Sequence, residues 1–206
     1  MGHSDTAVLC RFAARRFTVG RRLVVGSLTA FGLTAALAAP GASAHNGACA
    51  AAHTPISSAS RPALQAAVVC LINRQRTKRH LPRLHESSRL NRSAQGWTNT
   101  MVRHGGFTHG GNFSARISAG GFNWSMVAEN IAAGFDTPAA VVRAWMASPG
   151  HCTNILSPSF KDVGTGVSRG AVPGAGGAGA WTQDFGLPMG APQPSGNRGP
   201  ANGCPY

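Results

Sequence analysis

From Val127 to Ala133 the chain reads Val-Ala-Glu-Asn-Ile-Ala-Ala, an apolar, strand-like run broken by one acid, Glu129. Burying an unpaired charge costs several kcal/mol, so any fold that buries this run must bring a partner to Glu129. The run leads into two capped helices. Thr137-Pro138 is a cap followed by proline at the first helical position, and Val141, Val142, Trp145 and Met146 follow at helical spacing. Ser148-Pro149 repeats the signature and predicts His151 as the third residue of a new short helix. The positive end of that helix favours a neutral imidazole, the form that binds a metal or accepts a proton.

The first 44 residues read as an export signal. Five arginines precede an apolar stretch from Leu23 to Ala39, and Ala42-Ser43-Ala44 offers a small-residue cleavage site before His45. The stretch is short for a spanning helix, which needs about 20 residues, so no membrane span is expected after cleavage. The pairs Arg15-Arg16 and Arg21-Arg22 are compatible with twin-arginine export as well as the general secretory route. Residues 45–206 suffice for one domain and are read as a monomer. The formal charge is +13, yet the arginines of the exported part are scattered, which predicts a solvated basic surface and disfavours a nucleic-acid partner. Cys10 leaves with the signal. Cys49, Cys70, Cys152 and Cys204 remain as an even set in an exported chain and favour two disulfides over a metal site. Three pairings are open; the favoured one joins Cys49 to Cys70 and Cys152 to Cys204.

In chain order, an arm over 45–61 precedes a helix that begins at Pro62 and buries Leu64, Val68, Leu71 and Ile72 through to Lys78. Arg74, Arg76, Lys78 and Arg79 are expected at its solvated end. Ser87 or Ser88 caps a second core helix carrying Leu90, Ala94, Trp97 and Met101 and ending at Gly105-Gly106. The glycine-flanked loop that follows lets Phe107 anchor inward while His109 is aimed elsewhere. A short helix over 114–119 precedes an extended segment over 122–133. Residues 161–169 and 180–185 alternate as two strands of a hairpin, the second with Trp181, Gln183 and Phe185 on one face. The Gly- and Ala-rich connection over 170–179 reads as a mobile loop, and residues 187–206 as a Pro/Gly-rich tail that a disulfide at Cys204 would tether.

His109 on its loop, Glu129 in its strand and His151 at a helix start are the candidate site. Two neutral histidines and a carboxylate are a recognised ligand set for Zn2+, with one position left for water; the same trio can do acid-base chemistry without a metal. The spacing is not that of a local helical zinc motif.

Several motifs occur together: Leu71-Ile72-Asn73-Arg74-Gln75-Arg76, Phe107-Thr108-His109, Ala128-Glu129-Asn130-Ile131, Trp145-Met146-Ala147-Ser148-Pro149-Gly150-His151, and Val163-Gly164-Thr165-Gly166-Val167 followed by Trp181-Thr182-Gln183. In this order they resemble the CAP superfamily of SCP-like extracellular domains, related to cysteine-rich secretory and pathogenesis-related proteins, in its bacterial branch. The resemblance implies an α+β fold over 62–186, an α-β-α sandwich with a small antiparallel sheet between helices, and a cleft to which His109, Glu129 and His151 belong. Many relatives carry a second acid three residues after the helix tryptophan; here that residue is Ser148, which counts against mechanisms needing two carboxylates. The implied function is a secreted, non-catalytic module binding a small ligand, lipid, cell-wall component or protein, with a divalent ion as a further expectation for the cleft. The alternative is a metal-assisted protease or esterase using His109 and His151 as ligands and Glu129 as ligand or base. A secreted nuclease is a third and weaker reading.

Overall fold

Each helix starts at a side chain that caps it or a proline that launches it. In the computed structural model, which describes residues 7–10, 49–177, 179–193 and 203–204, α1 spans Arg61–Thr77, with the Ser60 hydroxyl accepting from the Ala63 amide. α2 spans Ser88–His104, capped by Ser87 and closed by Gly105 at φ 73°, a left-handed conformation suited to glycine. α3, Phe113–Ala119, starts from the side-chain Oδ1 of Asn112, which accepts from the Ala115 amide, and α4, Pro138–Met146, from the Thr137 hydroxyl. α5 is Pro149–Leu156 and begins at Ser148. The strands are β1 (Ala7–Cys10), β2 (His85–Glu86), β3 (Trp124–Ala133), β4 (Asp162–Ser168) and β5 (Ala180–Pro188).

The strand order is β1-β3-β5-β4-β2. β4 and β5 pair antiparallel, as the alternation predicts, and β3 pairs antiparallel with the other side of β5. The short β2 runs parallel to β4, which makes the sheet mixed. β1 pairs antiparallel with the outer edge of β3, with Ala7 opposite Glu129. The other residues of the expected export signal lie outside the described ones.

Side chains alternate across the sheet and so divide the core in two. Ala128, Ala132, Val163, Val167, Trp181 and Phe185 face α1, α4 and α5 in the larger cluster. On the opposite face Val127 meets Leu90 of α2 and Phe113 and Ile117 of α3, while Ile131 packs with Met101. This is the expected α-β-α sandwich. Gly164 and Gly166 explain how closely α2 approaches: a Cβ at Gly164 would lie 2.1 Å from the Leu90 carbonyl carbon, and one at Gly166 would lie 2.3 Å from the Ala94 oxygen. The helix backbone rests directly on β4.

The disulfides join Cys49 to Cys70 and Cys152 to Cys204, the favoured pairing. Three expectations are corrected. Arg76 is fully buried, not solvated. Its guanidinium donates to the carbonyls of Pro82, Ile155 and Ser157, so it closes the C-terminal end of α5. Burial lowers its pKa to about 10. The glycine-rich connection is anchored, because Val172 is buried against Met101, Ile131 and Ala180. β5 continues to Pro188, so the expected tail begins inside a strand.

Candidate functional site

The predicted partner of Glu129 is present, and so is a second one. Glu129 is 1% exposed on the α2 face of β3. One carboxylate oxygen lies 2.8 Å from Nδ1 of His109 and the other 2.7 Å from Nη2 of Arg116. The contact with the permanently charged Arg116 is a charge-assisted hydrogen bond. With a proton on Nδ1 donated to Glu129, a neutral His109 ring keeps Nε2 as its acceptor nitrogen.

The two partners are positioned by aromatic and glycine residues. The Arg116 guanidinium carbon, on α3, sits 3.9 Å from the ring centroid of Trp97, which projects from α2. Trp97 in turn donates from Nε1 to the Thr108 carbonyl, 3.0 Å away, and so holds the loop that carries His109. Gly110, at φ 62°, allows the same loop to close on the ring, since a Cβ there would meet Trp97 at 2.7 Å. Phe107 anchors the loop against the Met101 and Ile131 cluster, as expected.

A second buried carboxyl lies directly opposite Glu129. The β3–β5 register pairs Glu129 with Asp184, and both point to the α2 face. Directly opposite residues have Cβ atoms about 4.5–5.5 Å apart. Asp184 is 1% exposed, and neither of its oxygens has a donor at hydrogen-bonding geometry among the described residues. Its pKa is raised well above the ordinary 3.8, chiefly by burial and then by the Glu129 charge, with Ser93 and Arg116 opposing. Glu129 is thus engaged by a guanidinium and an imidazole, beside an acid held toward its protonated form. Sequence reasoning placed Trp181, Gln183 and Phe185 on one strand face and passed over Asp184, and it counted Arg116 among the solvated arginines. The absence of an acid at Ser148 thus does not leave the site with one carboxyl.

His151 is buried in the first turn of α5, at the third helical position. It is tied to β3 beside Glu129 through two asparagines. Asn130 Nδ2 donates to the His151 carbonyl at 3.3 Å, and Asn154 Nδ2 donates to Asn130 Oδ1 at 2.9 Å and to the Glu129 carbonyl at 3.4 Å. The structure therefore brings His109 and Glu129 into direct contact and sets the backbone of His151 alongside. Among the described residues, no group of three or more His, Cys, Asp or Glu side chains is arranged to hold a metal ion. The donor set agrees: both Glu129 oxygens face donors, one of them a guanidinium whose charge opposes a cation there.

Comparison with known proteins places this geometry. The family model described as CAP, the cysteine-rich secretory protein family, matches residues 69–185. YkwD of Bacillus subtilis (strain 168) is 37% identical over 124 residues, which cover 57% of this chain and 45% of YkwD. This chain thus spans less than half the length of that relative. Among solved structures, an extracellular protein containing an SCP domain from Bacillus anthracis str. Ames is similar with a TM-score of 0.54 and 25% identity, covering 61% of this chain and 41% of that one. A cysteine-rich secretory protein from Staphylococcus aureus subsp. aureus Mu50 shares the fold, with a TM-score of 0.52, 16% identity and coverage of 62% and 40%.

Proposed function

We propose, from the premise that this chain belongs to the cysteine-rich secretory protein (CAP) family, that it is an exported, non-catalytic module whose His109 side of the cleft binds a ligand or partner. The observation that carries this reading is the state of Glu129. A general base or nucleophile needs an oxygen that substrate can reach, whereas both oxygens of Glu129 face His109 or Arg116 and the residue is 1% exposed. Glu129 acts instead as the buried anchor that holds a cation and an imidazole in place. Arg116, with 22% of its side chain exposed, and the partly exposed Trp97 then form a firm, cationic and aromatic wall. Such a wall suits recognition, because its side chains are already ordered before a partner arrives. The disulfides and the extracellular character of similar SCP-domain proteins support an exported setting. Among the described residues, no helix is long and apolar enough to cross a membrane.

The buried carboxyl pair favours a second reading, since an acid raised in pKa beside a second carboxyl is a known arrangement for acid-base hydrolysis. One experiment separates the two. Turnover of peptide and ester libraries, with and without chelator, is measured beside retention of the exported chain on cell-wall sacculi and on lipid vesicles. The binding reading expects no turnover and a retention that falls at least tenfold in His109→Ala. Turnover abolished by Glu129→Gln or Asp184→Asn would overturn it.

A further inference from the structure

A cavity of about 410 Å³ opens between the start of α1 and the end of β4. It is lined by Ile56, Leu64 and Val167, which belong to the cluster on the α1 face of the sheet, the face opposite Glu129. Its other lining residues include Arg61 and Arg169, and no carboxyl lines it. Arg169 is held in place by the arm before α1: its Nε donates to the Ile56 carbonyl at 2.9 Å and its Nη2 to the Ala59 carbonyl at 3.3 Å. A guanidinium has five N–H donors, so this anchoring leaves three. Among the described residues neither Arg61 nor Arg169 is paired with an acid. The first turn of α1 contains no acidic residue, so the positive end of that 17-residue helix adds to the same field.

We propose that this cavity is a second binding site, one that takes a small phosphomonoester with its phosphate between Arg61 and Arg169 and its apolar body over Ile56, Leu64 and Val167. A phosphomonoester carries a charge of about −1.5 to −2 near neutral pH, which matches two guanidiniums. The planar donor fork of arginine suits phosphate oxygens in a two-bond geometry. The cavity lies within the range of about 300–1,000 Å³ found for small-molecule sites, and a bare phosphate would leave most of it unfilled. Fixing Arg169 through two backbone carbonyls lowers the ordering cost of binding.

The test is amide NMR on the full chain, titrated at constant ionic strength with inorganic phosphate, phenyl phosphate and benzyl alcohol. Phenyl phosphate is expected to shift amides near Leu64 and from Val167 to Gly170, and to bind at least threefold more tightly than phosphate. Benzyl alcohol is expected to produce no saturable shift there. Arg61→Gln, at an exposed position where folding is not at stake, should weaken phenyl phosphate at least fivefold, and Arg169→Gln should weaken it further. Equal affinity for phosphate and phenyl phosphate would overturn the apolar half of the site. Unchanged affinity in Arg61→Gln would overturn the proposal as a whole. Displacement of phenyl phosphate by phosphatidate vesicles would assign the phosphate to a lipid headgroup and overturn a soluble ester as the ligand.

Discussion

If Glu129 is an ionised anchor, its energetic tie to Arg116 is measurable as a coupling in a double-mutant cycle. The cycle uses Arg116→Met, which keeps an apolar body against Trp97, and Glu129→Gln, which keeps the shape of the side chain. Removing one partner of a fully buried ion pair costs about 3–5 kcal/mol, mostly from the charge left behind. Two features reduce that here: the Arg116 side chain is 22% exposed, and His109 still contacts the other Glu129 oxygen at 2.8 Å. Arg116→Met is therefore expected to destabilise by about 2–3 kcal/mol, including about 0.5–1 kcal/mol for the lost contact with Trp97. Glu129→Gln keeps the shape of the side chain and leaves behind an Arg116 that is partly exposed to solvent, so its cost should be smaller, about 1–2 kcal/mol.

In the Glu129→Gln background Arg116→Met no longer strands a charge. The Trp97 contact is lost in both legs and cancels. A coupling of about 1.5–2 kcal/mol is expected, read from urea unfolding followed by tryptophan fluorescence. A coupling below about 0.5 kcal/mol would refute the reasoning, because it would mean that Glu129 is not held as a charge by Arg116 and cannot be the anchor of the wall.

Asp184 carries a pH prediction. Its folded-state pKa is raised, so its cost is absent below the unfolded value of 3.8, grows as pH rises from there toward the raised value, and is constant above it. Urea midpoints at several pH values should show Asp184→Asn gaining on the wild type through the acidic range; a pH-independent difference would contradict this. Gly164→Ala should destabilise by about 3 kcal/mol or more, since the new methyl meets the α2 backbone rather than a movable side chain, and a thermal shift corresponding to less than about 1 kcal/mol would show that α2 can retreat. Arg76→Met strips donors from three carbonyls and should cost about 2–4 kcal/mol, with faster hydrogen exchange in α5 than in α2. Cys204→Ser opens a bridge spanning 52 residues, and the chain-entropy estimate for such a loop is about 4 kcal/mol, checked by chemical denaturation.

What the chain disclosed in advance follows the range of the interactions involved. Caps and periodicity are local, so the helix starts near Pro62, at Ser87 or Ser88, at Thr137 and at Ser148 and the alternating strands β4 and β5 were legible, although the Ser60 cap of α1 was not singled out. The physical cost of burying Glu129 was also local, and it correctly demanded a partner. Which partner it found was not local. Arg116 reaches Glu129 because α3 packs under β3, and nothing near Arg116 in the chain distinguishes it from the surface arginines of an arginine-rich protein. The β3–β5 register that sets Asp184 opposite Glu129 joins segments more than fifty residues apart. Even so, two signals were available. Asp184 is an acid inside a strand whose neighbours Trp181, Thr182, Gln183 and Phe185 are all buried, the same anomaly that singles out Glu129. Arg76 follows Val69 and Ile72 at the spacing of the buried stripe of α1, so helical periodicity placed it inside while its charge argued for the surface. The periodicity won because three backbone carbonyls could be brought to the guanidinium. Charge at a periodic core position is thus a sign that the fold supplies a partner, and in this chain Arg76 closes the helix that holds His151 while Glu129 orders the wall beside His109.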